Sequence, residues 1–289
     1  MRKIDKMKQK IGIVVCGNSG IDYLNIDFPV KVIRSTLLLD GKEYEDYVDI
    51  KAEDFYKLVI ANPNIDIRTS QTSTGRISEV YNELKETGVT DIIVITVSSK
   101  LSGTFQGAIL AKELVDDINV YVVDSKSVSQ GEVFLVEKAI ELINKGIDAE
   151  DIYNKLNELR DNLKIYVLVD TLKYLVKNGR LSATSGFLGT MLKIKPLLVV
   201  NEEGSLVPFE KIRTTSKARE RLFKILTEKI KDKDVSVYIA YTSNKEEAIE
   251  FASRLKEQNN IKVEVVPLTP VVGAHAGPGT MGVIIINNN

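Results

Sequence analysis

The sequence predicts an α/β fold of two domains, and three features support that prediction. Runs of β-branched residues alternate with helical patterns in the first half, which favours a mainly parallel sheet covered by helices. Two apolar runs around residues 202–204 indicate an antiparallel hairpin in the second half. A length of 289 residues is enough for about two domains. We place the boundary near residue 160, which gives α/β domains at 1–160 and 161–289.

The N-terminal domain is predicted to open with a buried strand. Residues 11–16, 91–97 and 118–123 are apolar on both faces, which is typical of strands inside a sheet. Residues 21–50 are rich in β-forming residues, with a turn at Asp40-Gly41. Apolar side chains recur every three or four residues elsewhere in this half. They predict helices at 75–87, 103–115, 130–145 and 149–160, with Asp148 as the N-cap of the last.

The C-terminal domain is predicted to continue the alternation of strands and helices. Its expected strands are 164–169, 195–201, 205–213, 235–242, 261–267 and 281–286. Its expected helices are 171–178, 185–193, 215–230 and 245–257. No linker rich in Pro, Gly or Ser divides the chain, so we expect the two halves to pack tightly.

Composition argues against several classes of function. The 39 basic and 40 acidic residues leave a net charge of −1, so no basic surplus exists for binding nucleic acid. One cysteine cannot form an intramolecular disulfide, and one histidine with one cysteine argues against a zinc site. Apolar runs such as residues 92–95 are far shorter than a membrane-spanning helix, and the N-terminus lacks an apolar signal core. We therefore expect a cytoplasmic protein without a metal, with peripheral membrane contact at most.

Two polar clusters stand where a predicted strand passes into a predicted helix. They are residues 69–75, with five hydroxyl groups in six residues, and residues 98–104. Ligands of open α/β sheets bind outside the carboxyl ends of the strands, and the free N–H groups of a helix start favour an anion there. Hydroxyl groups at these positions can donate to a carboxylate or a phosphate. Because Ser and Thr are also the commonest N-caps, a purely structural role stays open for each cluster.

Two further clusters lie in the second half. Residues 177–182 contain Arg180 and fit the end of a helix, with glycine just beyond its last turn. Residues 275–282 contain three glycines and a proline, so the backbone can turn sharply and approach a ligand closely. His275, the one histidine of the chain, stands at the start of this cluster. On the residues alone, a helix end at 177–182 and a structural histidine at 275 are the more common roles, and a ligand site stays open as the alternative.

The chain lacks the common nucleotide-binding and hydrolase motifs. It contains no GxGxxG after the first strand, no GxxxxGK[ST] loop and no GxSxG elbow. Cys16 ends a buried strand, which favours a small core residue over a reactive thiol. Ser102 and His275 could act as nucleophile and base of an acyl hydrolase, but spacing selects no third member. That hydrolase and a binding module for another small anion are the two alternatives.

Together, the four clusters resemble those of the DegV family of bacterial fatty-acid-binding proteins. The resemblance runs from about residue 65 to 284 and rests on Thr69-Ser70-Gln71-Thr72-Ser73, Ser98 to Thr104, Asp124-Ser125-Lys126, Tyr174 to Ser182, Lys195-Pro196, Lys211-Ile212-Arg213 and His275 to Gly282. The chain departs from the family pattern at Thr72, where Pro is usual, and at Asn178, where Gly is usual. It also has Cys16-Gly17-Asn18 where the family usually has Asp-Ser-[ST], which leaves the role of the first turn open.

The resemblance implies a two-domain DegV-like fold that buries a long-chain fatty acid such as palmitate or oleate. Residues 1–160 are implied to carry the carboxylate-binding loops, and residues 161–289 to cover the acyl chain. The residues implied to hold the carboxylate are Thr69, Ser102, Ser99 and Ser70; those implied to face the head group or a partner are His275 and Arg180. Because the family includes the lipid-carrying subunits of fatty acid kinase, the resemblance implies a chain that is not itself an enzyme and needs no cofactor. It also implies a separate ATP-dependent kinase subunit as a partner.

Overall fold

The computed structural model describes residues 10–181, 195–259 and 261–288. Its strands are β1 (Ile11–Cys16), β2 (Val30–Ile33), β3 (Thr36–Leu39), β4 (Lys42–Glu45), β5 (Ile67–Ser70), β6 (Asp91–Thr96), β7 (Asn119–Asp124), β8 (Leu163–Leu168), β9 (Lys195–Val200), β10 (Leu206–Ile212), β11 (Val235–Tyr241), β12 (Lys262–Pro267) and β13 (Met281–Asn287). Its helices are α1 (Ala52–Ala61), α2 (Thr74–Glu86), α3 (Thr104–Lys112), α4 (Gln130–Asn144), α5 (Ala149–Leu159), α6 (Lys173–Lys177), α7 (Thr215–Ile230), α8 (Lys245–Asn259) and α9 (Pro270–Ala276).

The first sheet is parallel, with the strand order β2-β1-β6-β7. Alternate side chains of β1 enter different cores: Ile13 and Val15 pack with α4 and α5, whereas Val14 and Cys16 pack with α2 and α3. Both faces of the sheet are therefore covered by helices, which is why its strands are apolar throughout. Asp148 caps α5 by accepting a hydrogen bond from the backbone N–H of Asp151 at 3.1 Å. The predicted parallel α/β arrangement is confirmed.

The second sheet has six strands in the order β10-β9-β8-β13-β11-β12. β11 pairs with β12 in parallel, and the other neighbours are antiparallel, including the predicted β9–β10 hairpin. One face packs against α7 and α8 through residues such as Leu222 and Leu255. The other face, which includes Ile165 and Ile284, packs with α4 of the first half. One hydrophobic core thus runs between the parallel sheet and the six-stranded sheet, so the two halves pack tightly.

A third, antiparallel sheet has the strand order β4-β3-β5 and packs against α1 and α9. The predicted turn at Asp40-Gly41 joins β3 to β4, and both residues have positive φ angles, of 48° and 81°, as a tight hairpin turn requires. Two elements in this region are absent from the sequence prediction. They are strand β5, which contains Thr69 and Ser70, and helix α9, which precedes the glycine-rich turn.

Packing explains both of these differences. β5 pairs with β3 alone, and strands at the edge of a sheet tolerate polar residues. In α9, a Cβ atom on Gly273 would lie 2.2 Å from the hydroxyl oxygen of Tyr56, so a glycine is needed where two elements make close contact. Helix α1 is also absent from the sequence prediction. The helix predicted at 185–193 lies outside the described residues.

Candidate functional site

A cavity lies between the carboxyl end of the parallel sheet and the inner face of the six-stranded sheet. Its apolar lining residues are Val97, Leu101, Val128, Ile165, Val167, Leu175, Val200, Leu206, Ala240, Leu268, Val271, Val272, Ala276 and Ile284. Most of these belong to residues 161–289. Small-molecule sites in proteins are typically concave and mostly apolar, with a few polar groups that fix the orientation of the ligand. The cavity therefore suits a ligand with a long hydrocarbon part.

Four of the predicted site residues, Thr69, Ser102, Arg180 and His275, line this cavity. They come from four separate places in the fold: β5, the loop before α3, the loop after α6, and α9. The Oγ1 of Thr69 lies 2.8 Å from Nε2 of His275, and the Nε of Arg180 donates to the carbonyl oxygen of Leu101, next to Ser102, at 3.2 Å. The four side chains thus line one cavity, with Thr69 against His275 and with Arg180 beside the backbone next to Ser102, and we call them the head-group cluster.

Arg180 provides the positive charge of the head-group cluster. Its guanidinium donates to two backbone carbonyl groups, of Leu101 at 3.2 Å and of Asn178 at 2.6 Å. Within the described ranges, it forms no ion pair with an acidic side chain. A partly buried cation without a counter-ion favours an anionic ligand beside it.

His275 provides a polar but uncharged group. Burial, and then the charge of Arg180, lower the pKa of His275 to about 4, so its imidazole is neutral at pH 7. Its Nδ1 atom is buried and has no hydrogen-bond partner among the described residues. If Nδ1 carries the proton, Thr69 donates to Nε2; if Nε2 carries it, the imidazole donates to Thr69. In either tautomer, the net positive charge of the cluster comes from Arg180.

The loop before α3 holds Ser102 through short local hydrogen bonds. The Oγ of Ser102 lies 2.9 Å from Oγ1 of Thr104 and accepts a hydrogen bond from the Thr104 N–H at 3.3 Å. Gly103 packs directly on Gln71, because a Cβ atom there would lie 2.4 Å from the side-chain oxygen of Gln71. The two clusters predicted from hydroxyl content are therefore in direct contact.

The glycine-rich turn after α9 has the conformation that its composition predicts. Gly277 and Gly279 have φ angles of 80° and 76°, which side chains other than glycine rarely adopt. A Cβ atom on Gly277 would also lie 2.3 Å from the ring of Tyr174. Beyond this turn, the Oγ1 of Thr280 donates to the carbonyl oxygen of Ala276 at 2.8 Å. These contacts fix the end of the short helix that carries His275.

The structure places Ser70 and Ser99 apart from the other predicted residues. Both are exposed, and neither is among the residues that line the cavity. Successive side chains of a strand point to opposite sides, so with Thr69 on the cavity side of β5, Ser70 points away from it. The N–H of Ser99, in the loop after β6, donates to Oδ1 of Asp124 at the end of β7, at 3.1 Å.

Cavity-lining polar residues also occur outside the predicted set. Asn18, Ser35 and Ser129 line the cavity at the ends of β1, β2 and β7. Their positions after strands are a signal that could have indicated all three, and for Ser129 the serine-rich turn at 125–129 is a second one.

The geometry gives no support to a Ser/His hydrolase. His275 contacts Thr69 rather than Ser102, whose hydroxyl is engaged with Thr104. No acidic side chain in the described part of the chain orients Nδ1 of His275. Among the described residues there is also no group of three His, Cys, Asp or Glu side chains that could hold a metal ion. None of the helices within these ranges is long and apolar enough to cross a membrane.

Comparisons with known proteins agree with the fold and cover nearly the whole chain. A family model described as "Uncharacterised protein, DegV family" matches residues 10–288. A DegV domain-containing protein of Clostridium acetobutylicum is 32% identical over 280 residues, or 96% of this chain and 99% of the relative. The crystal structure of DegV from Bacillus subtilis, a fatty acid binding protein, matches with a TM-score of 0.87 and 29% identity over 97% of this chain and 100% of that one.

A fatty acid binding DegV family protein from Streptococcus agalactiae matches equally well in structure. Its TM-score is 0.87, with 27% identity, over 97% of this chain and 100% of that one. These structures share the mixed α/β architecture described above, which confirms the fold class predicted from the sequence. The chain belongs to the DegV family.

Proposed function

We propose that this protein binds a long-chain fatty acid in the cavity, with its carboxylate at the head-group cluster. The observation that carries the proposal is the guanidinium of Arg180, which lacks an acidic partner in the described ranges and lies beside apolar walls. A carboxylate supplies the missing negative charge, and Thr69 and Ser102 supply hydroxyl donors. The fatty acid binding described for the Bacillus and Streptococcus relatives supports the same ligand class.

The acyl chain and the carboxylate contribute differently to binding. Burial of each methylene group stabilises by about 0.8 kcal/mol, so a chain of roughly fifteen contributes on the order of 10 kcal/mol before ordering costs. A hydrogen bond to a charged group contributes about 1.5–3 kcal/mol. The tail therefore sets most of the affinity, and the head-group cluster sets which end of the ligand it holds. In this arrangement residues 161–289 supply most of the apolar wall, while both halves supply head-group residues.

The finer proposal is that the chain presents the carboxylate to a separate ATP-dependent kinase and performs no covalent step itself. In that reaction a carboxylate oxygen attacks the γ-phosphorus of ATP, ADP leaves, and an acyl phosphate forms. Negative charge increases at the head group as the phosphoryl group arrives. The planar guanidinium of Arg180 and an N–H of His275 are donors suited to that charge.

Native mass spectrometry of protein purified from bacteria, followed by organic extraction, tests the binding proposal. We expect a co-purifying long-chain fatty acid that re-binds when it is added to the delipidated protein. Absence of lipid from the purified protein, together with no uptake of added fatty acid, would contradict the proposal. Incubation of the loaded protein with a partner kinase and ATP tests the finer step, through the appearance of acyl phosphate.

A further inference from the structure

A polar pair faces the apolar cavity through elements other than those of the head-group cluster. Asn18 and Ser129 both line the cavity, and the two residues are only 7% and 3% exposed. Asn18 lies in the turn after β1, and Ser129 immediately precedes α4. Burial of polar side chains against an apolar ligand is unfavourable unless they find hydrogen-bond partners.

Ser129 occupies the N-cap position of α4 but does not cap it. Its side chain makes no capping hydrogen bond, although serine is among the preferred capping residues. The reason is its backbone conformation, with φ of 59° and ψ of −129°, which is uncommon for any residue other than glycine. Strained conformations of this kind cluster at functional sites. The hydroxyl group of Ser129 is therefore available to a ligand in the cavity.

The side chain of Asn18 is fixed by a hydrogen bond to a buried acid. Its Nδ2 donates to Oε1 of Glu132 at 2.6 Å, and Glu132 is 0% exposed. Because one end of the amide group is fixed on Glu132, the other end is turned away from that residue. Burial raises the pKa of Glu132 well above its ordinary value. Asn18 and Ser129 are themselves uncharged side chains, so the pair offers hydrogen bonds without a net charge.

The chemistry of this pair selects a neutral partner. A carboxylate group of a ligand placed beside this pair would need a cation nearby. No basic side chain in the described ranges forms an ion pair with Glu132, the acid that contacts Asn18. A plain hydrocarbon chain leaves Ser129 and the free end of the Asn18 amide without partners. A hydroxyl group is neutral and can both donate and accept, so it matches the pair.

We propose that the cavity prefers a hydroxylated long-chain fatty acid, whose in-chain hydroxyl group exchanges hydrogen bonds with Ser129 and Asn18. This inference rests on the proposed fatty-acid binding and adds a substrate class to it. Sites built to hydrogen-bond a ligand hydroxyl discriminate against the analogue that lacks it, because their own polar groups are then left unpaired. We expect one positional isomer to bind about tenfold more tightly than the unsubstituted acid, as one or two neutral hydrogen bonds predict.

Calorimetric titration of the delipidated protein with stearate and with hydroxystearates that differ in hydroxyl position tests the proposal. The parent should prefer one isomer over stearate, and Ser129→Ala should abolish that preference while binding stearate at least as tightly as the parent does. Ser129→Gly is a second variant, since glycine removes the hydroxyl and suits the positive φ angle. Ser35→Ala is the matched control, because Ser35 also lines the cavity but follows a different strand.

Three results have distinct meanings in this experiment. If stearate binds at least as tightly as every hydroxystearate, the inferred preference is wrong, although fatty-acid binding stands. A preference that persists in both Ser129 variants also overturns it, because the hydroxyl is then recognised elsewhere. If neither stearate nor any hydroxystearate binds, the proposed function itself fails.

Discussion

Removal of one hydroxyl group from the head-group cluster should weaken fatty-acid binding without unfolding the protein. Thr69→Val keeps the branched shape of the side chain and removes the hydroxyl that lies 2.8 Å from Nε2 of His275. Ser102→Ala removes the hydroxyl that lies 2.9 Å from Thr104 Oγ1. Each loses one hydrogen bond to a charged carboxylate, which costs about 1.5–3 kcal/mol, so affinity should fall roughly ten- to a hundredfold.

The structure provides matched controls for both substitutions. Ser70 is the strand neighbour of Thr69, and Ser99 belongs to the same loop as Ser102, yet both are exposed and outside the cavity lining. Ser70→Ala and Ser99→Ala delete the same kind of group, and both variants should bind fatty acid as the parent does. Calorimetric titration with one fatty acid measures the affinities, and the melting temperature of each variant shows that the fold is intact.

Two results would refute this reasoning. Unchanged affinity in both Thr69→Val and Ser102→Ala means that the carboxylate lies elsewhere. Equal losses in the exposed-serine controls and in the cluster variants mean that the effect is a general one on the fold. A loss in Thr69→Val alone would restrict the carboxylate to the side of the cluster that contains His275.

The remaining predictions concern His275, Asp46 and Ala240. His275→Ala should retain bound lipid nearly as the parent does but lose kinase-dependent acyl-phosphate formation; normal turnover on the same preparation would contradict its role in phosphoryl transfer. Burial raises the pKa of Asp46 to about 7, so the folded protein holds a proton that the unfolded chain releases near pH 4, and stability falls as the pH rises between these values. Asp46→Asn should therefore raise the free energy of unfolding at pH 8 by up to about 4 kcal/mol, seen as a higher melting temperature, and should change the stability little at pH 4. An equal effect at both pH values would show that ionisation is not the cause. Ala240→Phe places a ring in the cavity wall and should abolish uptake of long acyl chains while a short-chain acid still binds, and full uptake of stearate would disprove that the tail lies there.

The elements that the sequence predicts well are those whose apolar pattern matches their surroundings in the fold. β1, β6 and β7 are apolar on both faces because helices cover both sides of their sheet, so the pattern is unambiguous. α2 and α5 each have one apolar face and a side-chain cap, from Ser73 and Asp148. In these cases local sequence and tertiary environment favour the same structure.

The elements that sequence reasoning missed depend on contacts between distant parts of the chain. β5 is four residues long and gains its strand conformation from pairing with β3. α9 contains Gly273, which has a low helix propensity but is needed for the close contact with Tyr56. The strand conformation of β5 also separates Ser70 from Thr69, which the family resemblance had grouped, because successive side chains of a strand point to opposite sides.

The head-group cluster was also predictable only in part, because the types of its residues are local information whereas their contacts are not. Chemical type selected its four members from their polar clusters and from the family resemblance, but no spacing could show that β5 and α9 place Thr69 against His275. Asn18 and Ser129 were not selected, because their availability depends on Glu132 behind one and on the backbone conformation of the other. The contact between Asn18 and Glu132 forms only where the turn after β1 packs on α4.

The charge state of the head-group cluster is compatible with both parts of the proposed function, the binding of a carboxylate and its presentation to a kinase. With Arg180 charged and His275 neutral, the cluster balances the single negative charge of a carboxylate. A second cation would cost desolvation that one carboxylate does not offset. Once the carboxylate lies beside Arg180, the charge that lowers the pKa of His275 is partly neutralised, so the imidazole becomes easier to protonate. If the proposed kinase step takes place here, an arriving phosphoryl group adds further negative charge and strengthens that tendency. His275 would then contribute least positive charge in the empty cavity and most during phosphoryl transfer, which would favour the reacting state over the bound ground state.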